Sequence, residues 1–195
     1  MRVNIIRASI LLFTFLLFSC NAGKPSTKEM LEELEQYEPK QHTIEMEEGD
    51  FLFRLYTDHP IHYEGEIVLL KGELTYIGEE EEIQISFSDE PIYFNLQEKI
   101  RGYSLPIIRK EIGATTNLIN GVPYSVNFNK SSIVSDRTMG KEEQEFIENF
   151  RKREDFPLGY YEVKASFDFF IIEPGVAKED AHIQFDTSID FKVIH

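Results

Sequence analysis

Hydrophobic and polar positions alternate along most of this chain. Phe51, Phe53 and Leu55 interleave with Leu52, Arg54 and Tyr56. Val68, Leu70, Leu74 and Tyr76 share one face, with Lys71, Glu73 and Thr75 on the other. Ile83, Ile85 and Phe87, then Ile92, Phe94 and Leu96, then Val122, Tyr124, Val126 and Phe128 repeat the pattern. The longest runs come last: Tyr161, Val163, Ala165, Phe167 and Phe169, and then Ile183, Phe185, Thr187, Ile189, Phe191 and Val193. A period of two gives each strand one buried and one wet face, the signature of antiparallel sheet. About seven such runs are separated by turn residues at Gly78, Asp89-Glu90-Pro91, Asn120-Gly121 and Pro174-Gly175. The expectation is an all-β antiparallel sandwich with two sheets packed face to face. One short helix is predicted over residues 141–152, where Phe146, Ile147 and Phe150 share a side ringed by Glu142, Glu143, Glu145, Glu148 and Arg151. It is expected to pack over one end of the sandwich.

The chain before residue 44 follows other rules. Arg2 and Arg7 precede an apolar run from Ile10 to Phe18. A basic segment followed by a short apolar one reads as a secretory signal, and the run is short of the roughly 20 residues a membrane-spanning helix needs. Leu17, Phe18, Ser19 and Cys20 follow, and this tetrapeptide resembles the lipobox of bacterial lipoproteins. The resemblance implies cleavage before Cys20 and acylation of its thiol. Cys20 is the only cysteine, so an exported domain would hold by packing rather than by disulfides. Residues 1–19 are thus read as signal peptide, 20–43 as lipidated N-terminus and tether, and 44–195 as the sandwich. Within the tether, Ser26 and Glu29 have capping-box spacing ahead of Met30, Leu31 and Leu34, a pattern that starts a short helix.

Charge narrows the partners. The full chain carries 20 basic and 35 acidic residues, a net charge of −15. Without Arg2 and Arg7 the remainder stands at about −17. Such a surface repels nucleic-acid phosphates and anionic headgroups, so no nucleic acid is expected and the lipid must supply the membrane attachment.

A shorter motif points to a fold family. Pro157, Leu158, Gly159, Tyr160 and Tyr161 match P-x-G-x-Y. This resembles the turn ahead of a late strand in immunoglobulin-like sandwiches, where the tyrosine hydroxyl bonds back to the upstream backbone as a tyrosine corner. Pro157, Gly159 and Tyr161 are the matching structural positions, and Tyr160 is left as the exposed neighbour. Residues 73–87, strand, acidic turn and strand with Phe87, are similar to the opening of exported BsuPI-like modules. The chain has no Trp and no cysteine pair, so the antibody-type core is excluded. No inhibitory loop of the BsuPI-like group has a residue-by-residue match here, so proteinase inhibition stands as an alternative on resemblance alone.

Candidate chemistry is sparse. The chain lacks G-x-S-x-G, P-loop, H-E-x-x-H and C-x-x-C motifs, and no cofactor is expected. Asp58, His59 and His62 form the one close group containing histidine, read as a polar loop entering a strand. Asp168, Asp186 and Asp190 fall on one polar face if the last two runs pair as a hairpin. That face is a weak candidate for a cation or a hydrolytic site, unless Lys164 and Lys192 compensate the acids. Tyr56, Tyr63, Tyr93, Tyr103 and Tyr160 exceed what the interior needs and are expected at edges or between sheets. The functional expectation is a non-enzymatic binding or assembly module, lipid-anchored on the extracytoplasmic face of a membrane, with an envelope protein as partner.

Overall fold

A computed structural model of the chain describes residues 26–172 and 181–195. The described residues form a β-sandwich with two α-helices. The first sheet takes the order β1 (Thr43–Glu48), β2 (Phe51–Thr57), β4 (Leu70–Tyr76), β9 (Tyr124–Asn127). The second runs β3 (Ile61–Tyr63), β11 (His182–Ile194), β10 (Gly159–Ile171), β5 (Glu82–Phe87), β8 (Ala114–Ile119). β6 (Ile92–Glu98) lies beside the first half of β10 and carries β7 (Tyr103–Leu105) on its other edge. Pairing is antiparallel throughout except where β3 runs parallel to β11.

The two sheets meet through aromatic rings contributed by alternate strand positions. Phe53 of β2 meets Phe167 of β10 edge-on at 4.8 Å, and Phe51 meets Phe169 at 5.1 Å. Edge-to-face contact suits the ring quadrupoles and adds to the burial of their area. The alternation predicted for β2, β5, β10 and β11 is observed, with inward residues buried and their neighbours wet. α2 (Lys141–Lys152) forms where its apolar spacing placed it and buries Ile147 and Phe150 in the same core.

Four strands go beyond the seven runs of the sequence. β3 and β7 have three residues each, β1 is acidic and mostly exposed, and in β8 only Leu118 is buried. A second helix, α1 (Thr27–Gln36), begins at a complete capping box: Ser26 Oγ accepts from the Glu29 amide, and Glu29 returns a carboxylate to the Ser26 amide. Its Met30 and Leu34 are buried against Ile100, Leu158 and Tyr160. The part of the expected tether from residue 27 onward is therefore docked on the sandwich.

Candidate functional site

The turn entering β10 is built around two buried groups. Tyr161 is fully buried, stacked on Phe191 at 5.3 Å and edge-on to Phe156 at 5.2 Å. Its hydroxyl donates to the Pro157 carbonyl at 2.8 Å, the back-bond of a tyrosine corner. Burial pushes the phenol well above its ordinary pKa, so it remains a donor.

Beside it lies Glu98, fully buried at the end of β6. The Glu98 carboxylate accepts from the amides of Ile100 at 3.0 Å and Arg101 at 2.9 Å, and pairs with the Arg101 guanidinium at 3.0 Å. Such donors offset the cost of burying a charge. They also explain Gly159: a Cβ there would lie 2.7 Å from Glu98 Oε1. Continuing the Ile92, Phe94 and Leu96 alternation places Glu98 on the inward side, opposite Tyr161, but a carboxylate at that position reads as the end of the strand until its donors are seen.

On the opposite face of the same strand, Tyr160 anchors the N-terminal segment. Tyr160 is only 6% exposed, which corrects its assignment as an exposed residue. The reason is α1, which reaches it from far upstream in the chain. The Tyr37 ring stacks on Tyr160 at 4.5 Å. The Tyr160 hydroxyl donates to Asp190 Oδ2, while Asp190 Oδ1 accepts from the amides of Lys40 and Gln41, both at 2.8 Å. Lys192 donates its ammonium to the Tyr37 carbonyl at 3.1 Å. Burial, then the bond to Asp190, pushes the Tyr160 phenol up. Between residues 36–41 and the sheet lies an open cleft of about 570 Å³, lined by Tyr37, Lys40, Lys99, Tyr160, Glu162 and Asp190. Lys99 there pairs with Glu162 at 3.1 Å.

The three acids considered as a cation site do not act together. β10 and β11 do pair as a hairpin, with Glu162 opposite Asp190, Ser166 opposite Asp186 and Asp168 opposite Gln184. Each acid then takes a separate partner. Asp168 pairs with Arg109 at 2.7 Å and His182 at 2.9 Å. Burial works against its charge, yet the bonds from His182 and Arg109 hold its pKa below the ordinary value. Asp186 pairs with Lys164 at 2.6 Å, which lowers its pKa. Asp190 is occupied by the α1 segment. The like-charge repulsion that would call for a metal is already relieved by side chains and amides. Among the described residues, no three His, Cys, Asp or Glu side chains are grouped to hold a metal ion.

His59 and His62 approach to 6.0 Å between ring centroids. His62 is buried against Phe191, with Asp58 Oδ1 at 3.7 Å and, among the described residues, no hydrogen-bond partner on Nε2. Of the other tyrosines, Tyr93 is buried beneath the Arg109 guanidinium, 3.6 Å above its ring, whereas Tyr63 is exposed. Lys130 lies over Phe150 and Phe156 and donates to the carbonyls of Arg153, Glu154 and Asp155. Burial brings its pKa down to about 8, so it is still charged at neutral pH.

Cys20 and its neighbours Leu17, Phe18 and Ser19 lie outside the described residues, as does the Pro174-Gly175 turn. Among the described residues, no helix is long and apolar enough to cross a membrane. No family model matches the chain, and no curated protein matches it.

Proposed function

We propose that this protein is a lipid-anchored, non-enzymatic binding module on the extracytoplasmic face of a cell membrane, tethered through acyl chains on Cys20 and contacting an envelope protein. The observation that carries the proposal is the docking of α1. Ser26 is six residues from Cys20; there the capping box starts α1, and the chain that follows is fixed to the sandwich by Met30 and Leu34 and by the Asp190 bonds to Lys40 and Gln41. An anchor joined through so short a run would hold one end of a packed domain near the bilayer, its reach limited to about 20 Å at full extension. Two acyl chains make such attachment stable, at about 0.8 kcal/mol per buried methylene. The immunoglobulin-like reading of the sandwich belongs to the same proposal and is supported by the Tyr161–Pro157 bond. Metabolic labelling of the full chain with palmitate tests the anchor. Label is expected on the parent and absent from Cys20→Ser, with precursor accumulating under globomycin. An unlabelled parent chain would overturn the reading.

A further inference from the structure

The edges of the two sheets differ in how they are guarded. β1 presents exposed Glu45, Glu47 and Glu48, and charges on an edge discourage another strand from joining. β3, β7 and β9 are three or four residues long, too short to template much pairing. β8 has neither defence. Ala114, Thr115, Thr116, Asn117, Leu118 and Ile119 include no charge and no proline. β8 ends the second sheet, bonded along one side by β5 from Phe87 opposite Ala114 to Glu82 opposite Ile119. No other described strand pairs with its outer side.

The surroundings of that edge are not neutral. At its far end Ile119 is 54% exposed, beside Val122 at 52% and Ile77 at 38%. The amide of Gly121 bonds the Tyr76 carbonyl and that of Val122 the Ile119 carbonyl, so these three exposed residues lie at one corner of the fold. Against the same corner lie Glu79, Glu80 and Glu81 of the turn and Glu82 at the start of β5, all exposed. Asn120 fixes the turn there, donating its side-chain amide to the carbonyls of Gly78 and Glu80 and its backbone amide to that of Glu81. No ion pair engages these four acids among the described residues.

We propose that β8 is a strand-addition site for an extended segment of a partner protein, alternating apolar and polar residues and carrying Lys or Arg at the end that lies beside Glu79–Glu82. Main-chain bonds along the open edge supply the pairing, and side chains alternate between the two faces of the enlarged sheet. The Ile77, Ile119 and Val122 corner takes apolar side chains of the incoming strand. The four carboxylates select its cationic end and speed encounter. This inference deepens the binding-module reading and rests on it, but it does not depend on the lipid.

The test uses the full chain and synthetic peptides of the form Lys-Arg-Val-Thr-Val-Thr-Val. Hydrogen exchange should show new protection within residues 112–122 on peptide addition. Replacing Glu79, Glu80, Glu81 and Glu82 by Gln at the exposed turn should weaken binding about tenfold, with the loss shrinking as salt is raised. N-methylation of alternate peptide amides should abolish binding in one phase and spare it in the other, because only one row of amides faces the edge. Binding of a peptide with Glu in place of Lys-Arg at equal strength, or protection mapped elsewhere, would overturn the proposal. So would protection of β8 by self-association without peptide, which makes the occupant a second copy. Palmitate labelling is read separately, so failure of the edge leaves the anchor standing. An envelope partner cross-linked equally well by a chain with Ile119→Lys would overturn the edge while sparing the binding-module reading.

Discussion

Tyr160 and Tyr161 are neighbours in the chain and serve two different interiors. Tyr161 points between the sheets, among Phe150, Phe156 and Phe191, and its hydroxyl is bonded within its own turn. Tyr160 points to the outer face, and its burial depends on Met30, Leu34 and Tyr37 arriving from α1 and the segment after it. Strand geometry sends adjacent side chains to opposite faces, so one inward tyrosine and one outward one is what the sequence demands. What differs is who supplies the cover. The main core closes on itself through many strands. The smaller cluster is closed by ten helical residues that would be marginal alone and that lead towards Cys20. Any force or motion at the proposed anchor therefore reaches Tyr160 before it reaches Tyr161.

The sharpest way to break this contrast is to empty each site in turn. Tyr161→Ala removes a fully buried ring and its hydrogen bond, and large-to-small changes of this kind cost about 3–5 kcal/mol. The expected outcome in a urea melt is a large fall in the midpoint for the whole domain, with α1 lost along with the sheets. A loss under 1 kcal/mol would mean that the corner is not central to the core.

Asp190→Asn should act more weakly and more locally. It removes the charge that binds the Tyr160 hydroxyl and the two amides of Lys40 and Gln41. Charge-assisted hydrogen bonds contribute roughly 1.5–3 kcal/mol, and an amide in place of the carboxylate keeps part of that. Hydrogen exchange should quicken across residues 27–41 while β10 and β11 retain their protection. Equal quickening in the strands would show that the two clusters unfold as one unit.

The contrast also explains what was legible in the sequence. β2, β5, β10 and β11 announced themselves because each has one face in the main core, which stamps a period of two on its residues. α2 did so through Phe146, Ile147 and Phe150. β8 was missed because an edge strand buries little: Leu118 alone is buried, and Thr-Thr-Asn reads as loop. β3 and β7 were missed because three residues cannot display a period. The capping box at Ser26 marked the start of α1, but nothing local said that it would dock. Its receptor, Leu158 with Tyr160 and Ile100, is distant in sequence, and Tyr160 sits on the face of β10 that otherwise carries Glu162 and Lys164. Asp168, Asp186 and Asp190 do share one face, and Lys164 compensates Asp186 as its spacing suggested; the partners of the other two, Arg109 and His182 for Asp168 and the Lys40 and Gln41 amides for Asp190, depended on register and on contacts that no spacing rule supplies.

The smallest expected effect concerns the rim of the main core. His62 is buried edge-on to Phe191, at 5.5 Å between centroids, and burial lowers its pKa despite the nearby Asp58 carboxylate, which acts in the opposite direction. In the unfolded chain the imidazole takes up its proton near the ordinary value of about 6.5. The folded chain resists that proton until lower pH, so the unfolded state binds more protons in the interval and stability falls as pH drops. The contribution is complete above about pH 6.5 and declines below it. Carboxylates held low by their partners respond in a separate window. Asp155, which Arg153 holds at about 2, begins to matter only near the ordinary carboxylate range of about 4. Urea midpoints of the parent chain should therefore decline modestly between pH 6.5 and 5, and His62→Gln should remove most of that slope while leaving the steeper loss below pH 4. A slope unchanged in His62→Gln would place the sensitive group elsewhere.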